Sequence, residues 1–198
     1  MSLQIILASG SASRRALLEG AGVTAQTVKP FVDEESAKLA MRAEGVSIRD
    51  QAMRLAELKA IKVSTQHAGL VIGGDQMLAL GEQAFDKPVD MAAAKSHLQA
   101  LSGQKHTLET AIAVAENGQI VWKHLARPRL TMRPLSEDFL TDYLSKLGED
   151  VLSTVGGYKL ESLGSQLFEQ IEGDYFAILG LPLLPLLGYL RTRGVLTT

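Results

Sequence analysis

Lys59 stands where a charge is expensive. Ile48, Ala52, Leu55 and Lys59 follow one another at spacings of four, three and four, the helical period that puts them on one face, and the first three make that face apolar. An ammonium there either snorkels past the stripe or meets an anion, a carboxylate or a phosphate. The stripe alone predicts that Lys59→Met is tolerated by the fold, because it relieves desolvation, while chemistry that needs the charge is lost. Asp75 follows the apolar run Leu70-Val71-Ile72 and the pair Gly73-Gly74. A strand is expected to end there, so that the carboxylate emerges at its carboxyl end, where α/β folds place ligands. A turn capped by aspartate between Ile72 and Met77 reads the same letters. Ser9-Gly10-Ser11-Ala12-Ser13 before Arg14 and Arg15 gathers hydroxyls, backbone N–H groups and guanidinium forks at a helix start, which is a phosphate cradle. Its plain alternative is a helix capped by Ser13 with both arginines in solvent.

Lys87 precedes Pro88, whose fixed φ holds the backbone after the lysine, although an exposed loop lysine looks the same. Asp33, Glu34 and Glu35 form an acidic knot suited to Mg²⁺ or Mn²⁺, since hard cations take carboxylate oxygens, or equally to a solvated helix start. His67, His97, His106 and His124 are scattered without metal-ligand spacing or a nucleophile partner, and no catalytic role is assigned to them. No Gly-x-x-x-x-Gly-Lys-Ser/Thr loop is present, which excludes a Walker-type phosphate site.

The elements that must position these groups are a strand over Gln4–Ala8, a helix over Arg14–Gly20, and a long helix capped by Ser47 and running to about Val63. A buried strand Leu70–Ile72 and a helix Ala92–Leu101 follow. Thr107–Ala115 and Gln119–Met132 flank Asn117-Gly118, the strongest short hairpin signal. Ser136 with Glu137 and Asp138 opens a helix to Leu147, and Leu183–Arg193 is an apolar closing helix. Helices alternating with strands, some antiparallel, predict an α/β fold with a mixed sheet covered by helices. The whole chain, residues 1–198, is expected to be one domain with two lobes whose boundary cannot be placed.

Composition narrows the classes further. Twenty Lys and Arg stand against 22 Asp and Glu, a net charge of −2, so no bulk positive field exists to hold a nucleic-acid polymer or an anionic membrane. The absence of cysteine excludes disulfides, thiolate metal sites and Cys nucleophiles. Met1–Gly10 carries no basic segment before its short apolar stretch, so export is not expected. The uncharged run Tyr175–Leu190 is broken by Gly180, Pro182, Pro185 and Gly188, and at fewer than the roughly 20 residues of a spanning helix it reads as core. A cytoplasmic location follows as the expectation.

Taken in order, eight blocks resemble the Maf-like nucleoside triphosphate pyrophosphatases: Leu7–Arg15, Val32-Asp33-Glu34, Arg54–Ala60, Gly73–Gln76, Asp86-Lys87-Pro88, Leu101–His106, Gly156–Gly164 and Gly180–Leu183. The resemblance implies a mixed α/β fold related to the inosine triphosphate pyrophosphatases, bilobed with a central cleft. It implies hydrolysis of a nucleoside triphosphate between the α and β phosphates, with Mg, Mn or Co as divalent cation and a homodimer left open. By position, Asp75 resembles the general base and Ser9, Arg14, Arg15, Lys59 and Lys87 the phosphate grip. Glu34 resembles the acidic partner of Asp75 at the metal. In-line attack on a charged phosphorus needs just such cations and one proton acceptor.

Within the family, Gln76, Glu161 and the extra residue between Ser11 and Arg14 resemble the branch acting on 7-methylguanosine triphosphate. The thymidine and uridine triphosphate branch instead has Asp-Thr after the strand and a late glutamine. A carboxylate suits the two donors of the guanine edge, whereas uracil offers one. Ser13 departs from the pattern, for that branch tends to place there a tryptophan able to stack on a cationic base. A nucleotidyltransferase and a non-hydrolytic regulator of septum formation are the competing readings. Pyrophosphate release without an acceptor discriminates the first of them.

Overall fold

A computed structural model describes residues 3–197; Met1, Ser2 and Thr198, included in the single-domain reading, lie outside the described residues. The chain divides into two compact units, the first comprising residues up to Gln76, Thr110–Ala126 and Phe176 onward, the second Met77–Glu109 and Arg127–Tyr175.

The first unit is built on β1 (Ile5–Ala8), β2 (Gln26–Thr27) and the first half of β3 (Leu70–Leu80), with β1 parallel to both neighbours. The helices α1 (Ala12–Gly20), α2 (Glu34–Ala43), α3 (Ile48–Ser64) and α7 (Leu183–Thr192) belong to it. Successive strand residues point to opposite faces, and both faces are covered. Leu7 and Ile72 pack with Leu18 of α1 and Leu186 and Leu190 of α7, whereas Ile6, Ala8 and Val71 pack with Val63 of α3. Such two-sided burial explains why β1 and the start of β3 read as unbroken apolar runs. The second half of β5 (Lys105–Glu116) turns at Asn117-Gly118 into antiparallel β6 (Gln119–Ala126). Both turn residues have positive φ, 51° and 77°, the geometry that an Asn-Gly hairpin favours.

The second unit pairs the end of β3 with β4 (Gln83–Phe85), the start of β5 with β7 (Arg129–Met132), and β7 with β8 (Phe168–Glu172), all antiparallel. Its helices are α4 (Met91–Leu101) and α5 (Glu137–Leu147), capped by Asp90 and Ser136; the short α6 (Tyr175–Ile178) falls at the boundary. Tyr143 on α5 is buried and donates its hydroxyl to the Gly157 carbonyl, while His106 bonds Tyr158 at 2.7 Å. Burial lowers the His106 pKa to about 4, so the imidazole is a neutral core group.

The mixed α/β fold with flanking helices agrees with the sequence, and three local expectations are corrected. The expected strand Gln119–Met132 is two strands, β6 and β7, because Pro128 removes a ladder donor between them. The cap of α1 is Ser11, whose side chain accepts the Arg14 N–H, so Ser13 lies inside the helix. The strand that carries Asp75 does not end at Gly73-Gly74 but runs on to Leu80, which puts Asp75 mid-strand. No helix among the described residues is long and apolar enough to cross a membrane.

Candidate active site

The alternation along β3 decides what Asp75 meets. Val71, Gly73 and Asp75 face α3, and Ile72, Gly74 and Gln76 face the opposite way. On the α3 side, Ala52, Leu55, Ala56, Ala60 and Val63 are buried, so the helix lies hard against the strand. A Cβ on Gly73 would stand 2.3 Å from the Ala56 carbonyl oxygen and 2.6 Å from the Ala60 nitrogen. Backbone therefore touches backbone, and the lysine one residue before Ala60 is delivered to the carboxylate two residues after Gly73. Lys59 Nζ lies 2.7 Å from Asp75 Oδ1 and 2.8 Å from Glu34 Oε2.

These charges are not a surface pair. The side chains of Lys59 and Asp75 are 7% and 8% exposed, and that of Glu34 is 41% exposed. Between the two readings of Lys59, the structure selects the anion partner over snorkelling, and the anion is carboxylate. The expectation that Lys59→Met relieves desolvation is corrected accordingly, since the ammonium compensates a buried anion. Asp75 Oδ2 is buried without a hydrogen-bond partner among the described residues, an uncommon state for a carboxylate oxygen. That oxygen is the atom free to accept a proton or to ligate a cation.

Across the strand, a Cβ on Gly74 would stand 3.1 Å from Arg14 Nε. The glycine makes room for the guanidinium, which donates to the Gly180 carbonyl at 2.7 Å and to Ser9 Oγ at 3.2 Å. Ser9 Oγ also accepts the Ser11 N–H. Burial holds the Arg14 guanidinium below its ordinary range, and Asp75 and Glu34 pull it back upward. The Gly-Gly pair before Asp75 is thus explained by close approach on both faces of one strand. Reading it as a strand end misses this.

Asp33, the cap of α2, accepts the Ser36 N–H at 3.0 Å. The acidic knot is therefore a helix start, yet its second residue, Glu34, also reaches Lys59. Gln76 Nε2 lies within 3.1 Å of Thr110 Oγ1 and the Ala177 and Ile178 carbonyls, so its amide braces the turn whose Gly180 carbonyl holds Arg14. The structure brings Ser9, Arg14, Glu34, Lys59 and Asp75 together in the first unit. Arg15 stays outside, exposed and 3.7 Å from Glu19. Lys87 and Glu161 are exposed residues of the second unit. The braces Thr110, Ala177 and Gly180 were not among the expected residues; only the Gly180-Leu181-Pro182 block pointed toward that turn.

Glu34 and the orphaned oxygen of Asp75 fit a hard divalent cation, which takes one or two carboxylates and completes its shell with phosphate oxygens and water. No cluster of three or more His, Cys, Asp or Glu suited to a metal occurs among the described residues.

Comparison with known families matches residues 4–193 to "Maf-like protein". The chain belongs to the Maf-like family. This Maf-like chain is 65% identical over 198 residues to a protein of Hyphomonas neptunium called nucleoside triphosphate pyrophosphatase, with all of both chains covered. It is 51% identical over 193 residues to a protein of the same description from Rhodospirillum rubrum, covering 97% of this chain and 96% of that one. A Rhizobium johnstonii protein called 7-methyl-GTP pyrophosphatase is 47% identical over 197 residues, 99% of each chain.

The close packing at Gly73 gives a direct test in the Maf-like chain. Gly73→Ala is expected to push α3 away from β3, at an overpacking cost of about 1–3 kcal/mol or more, and to part Lys59 from Asp75. Thermal melting should fall by several degrees, and turnover should fall at least roughly tenfold, the scale of a misplaced catalytic pair. An unaltered melt with full turnover would show that the helix and strand are not held apart by that one carbon.

Proposed function

We propose that this protein hydrolyses nucleoside triphosphates between the α and β phosphates, giving a nucleoside monophosphate and pyrophosphate, with 7-methylguanosine triphosphate or another modified nucleotide as substrate. The observation that carries the reading is Asp75, a buried carboxylate with one oxygen fixed by Lys59 and the other unpartnered. A general base needs an oriented, desolvated acceptor, and such a group contributes about 10²–10⁴ in rate.

The geometry of the first unit supports the following roles. Oδ2 of Asp75 takes the proton of the attacking water. Lys59, held between Asp75 and Glu34, exchanges its contact with Glu34 for a phosphate oxygen and keeps Asp75 in place. Arg14 sets the floor of the Ser9–Ser11 loop, where hydroxyls and N–H groups receive phosphate. A divalent cation, when bound at Glu34 and Asp75, supplies charge neutralisation and lowers the pKa of bound water. Fixed cations and alignment furnish most of the acceleration in such chemistry.

Choice of base forms part of the same proposal and is supported by the resemblance and the relatives' names. Glu161 accepts hydrogen bonds from a guanine-type edge, Lys87 adds a cation for the phosphates, and Ser13 completes the grip at α1. Facing uracil or thymine, Glu161 is left partly unpaired, at roughly 1–3 kcal/mol for a charged acceptor. In competition assays with pyrophosphate detection, 7-methylguanosine triphosphate is expected to exceed thymidine and uridine triphosphates about tenfold to hundredfold in kcat/KM. Glu161→Gln should narrow the gap. Preference of the wild-type protein for thymidine or uridine triphosphate would refute the choice of base, and absence of pyrophosphate from every triphosphate would refute the function. A cytoplasmic site of action is supported by the nucleotide chemistry.

A further inference from the structure

The charges around Asp75 cancel: Arg14 and Lys59 stand against Glu34 and Asp75. A triphosphate brings several negative charges to this neutral set, and cations beyond the divalent ion and Lys87 of the proposed function add to its neutralisation. Backbone pairing supplies one. β2 runs beside β1 with Thr27 opposite Leu7, and the Val28 N–H donates to the Leu7 carbonyl at 3.0 Å. The segment that follows is thereby laid along the Ser9-Gly10-Ser11 loop. Lys29 Cε lies 3.9 Å from the position a Cβ on Gly10 would take. The Lys29 side chain is exposed, and its ammonium has no ion-pair partner among the described residues.

The turn carrying it is held stiffly. Pro30 fixes its own φ, and Phe31 has φ 45°, a left-handed conformation that costs an aromatic residue energy. Phe31 nonetheless stands 85% exposed, so burial of its ring does not account for the turn. Two residues later Asp33 caps α2, and Glu34 reaches Lys59. The turn is therefore anchored at one end on β1 and at the other on the Asp75 cluster, with the free lysine on the side of the serine loop.

We infer that Lys29 is a substrate-binding residue, contributing a cation to the polyphosphate of the nucleotide from above the Ser9–Ser11 loop. The inference rests on the proposed function for the identity of the substrate, and on the structure alone for the placement of the cation. A flexible ammonium at the rim neutralises ground state and transition state alike, so its loss acts on KM more than on kcat.

Lys29→Ala, Lys29→Gln and Lys29→Arg would be compared with wild type in steady-state hydrolysis of 7-methylguanosine triphosphate at several salt concentrations. Binding of inorganic tripolyphosphate would be measured by calorimetry on the same proteins. The alanine and glutamine variants are expected to raise KM roughly tenfold with kcat within about twofold, and to flatten the salt dependence of KM. They should weaken tripolyphosphate binding by a similar factor, whereas arginine retains both. Thermal melting of all four proteins should agree. Unchanged KM and unchanged tripolyphosphate binding in Lys29→Ala would overturn the inference and make Lys29 a solvated lysine only. Should wild type bind tripolyphosphate through Lys29 yet cleave no triphosphate, the cation site stands and the proposed function falls.

Discussion

Asp75→Asn is expected to yield a folded protein whose kcat is lower by at least about 10²-fold. The substitution keeps the shape of the side chain, and its carbonyl oxygen can still accept from Lys59. The change falls on the other side, where the orphaned Oδ2 is replaced by an amide that donates and can take no proton. The Lys59 ammonium retains Glu34 at 2.8 Å, so no buried charge is left bare and the fold persists. Circular dichroism melting and single-turnover pyrophosphate release on one preparation separate the two effects. A well-folded variant turning over near the wild-type rate would remove Asp75 from the chemistry and leave the site without a general base.

Lys59→Met is expected to lose both stability and turnover, because Asp75 then remains buried beside Glu34 with the nearest cation removed. Breaking a buried pair from one side costs on the order of 3–5 kcal/mol, against a total stability of about 5–15 kcal/mol for a whole protein. Arg14, near enough to feel both carboxylates, offsets part of that cost. The fall in Tm should be on the order of 10 °C. The diagnostic variant is Lys59→Met with Asp75→Asn, in which the uncompensated anion is gone and the methionine fills the stem's volume. It should recover more than half of the lost stability while remaining inactive, a coupling that a double-mutant cycle reads directly. Lys59→Met as stable as wild type would mean that the 2.7 Å contact carries no net energy and that the apolar stripe was the better guide.

Local signals brought the sequence close to this site. Ser47 and Ser136 cap their helices as expected, and the stripe Ala52-Leu55-Lys59 does face the interior. Asn117-Gly118 makes its hairpin. These are features that a helical period or a turn type writes into adjacent residues. The course of β3 was not legible, because Gly73 and Gly74 carry turn propensity when read alone, and only the approach of α3 and Arg14 from two sides gives them a strand role. Arg14 and Arg15 are neighbours in sequence, yet one is clamped inside by Ser9 and Gly180 and the other lies outside against Glu19. Helix phase separates them, adjacent residues of α1 pointing about 100° apart. Thr110 and Ala177, the partners of Gln76, and Gly180, the partner of Arg14, each lie more than thirty residues from the side chain they hold, and no short-range pattern announces a contact of that length. Lys29 was missed for the same reason, since its place over the serine loop depends on the β1 to β2 register.

The most direct measurement of the central claim is hydrolysis of a triphosphate by the purified protein in water enriched in heavy oxygen, with mass analysis of both products. Water activated by Asp75 and directed at the α phosphorus places one heavy oxygen in the nucleoside monophosphate and none in the pyrophosphate. Label in the pyrophosphate, or a nucleoside diphosphate with free phosphate in its place, would contradict attack at that phosphorus and the arrangement of Asp75, Lys59 and Arg14 argued to direct it.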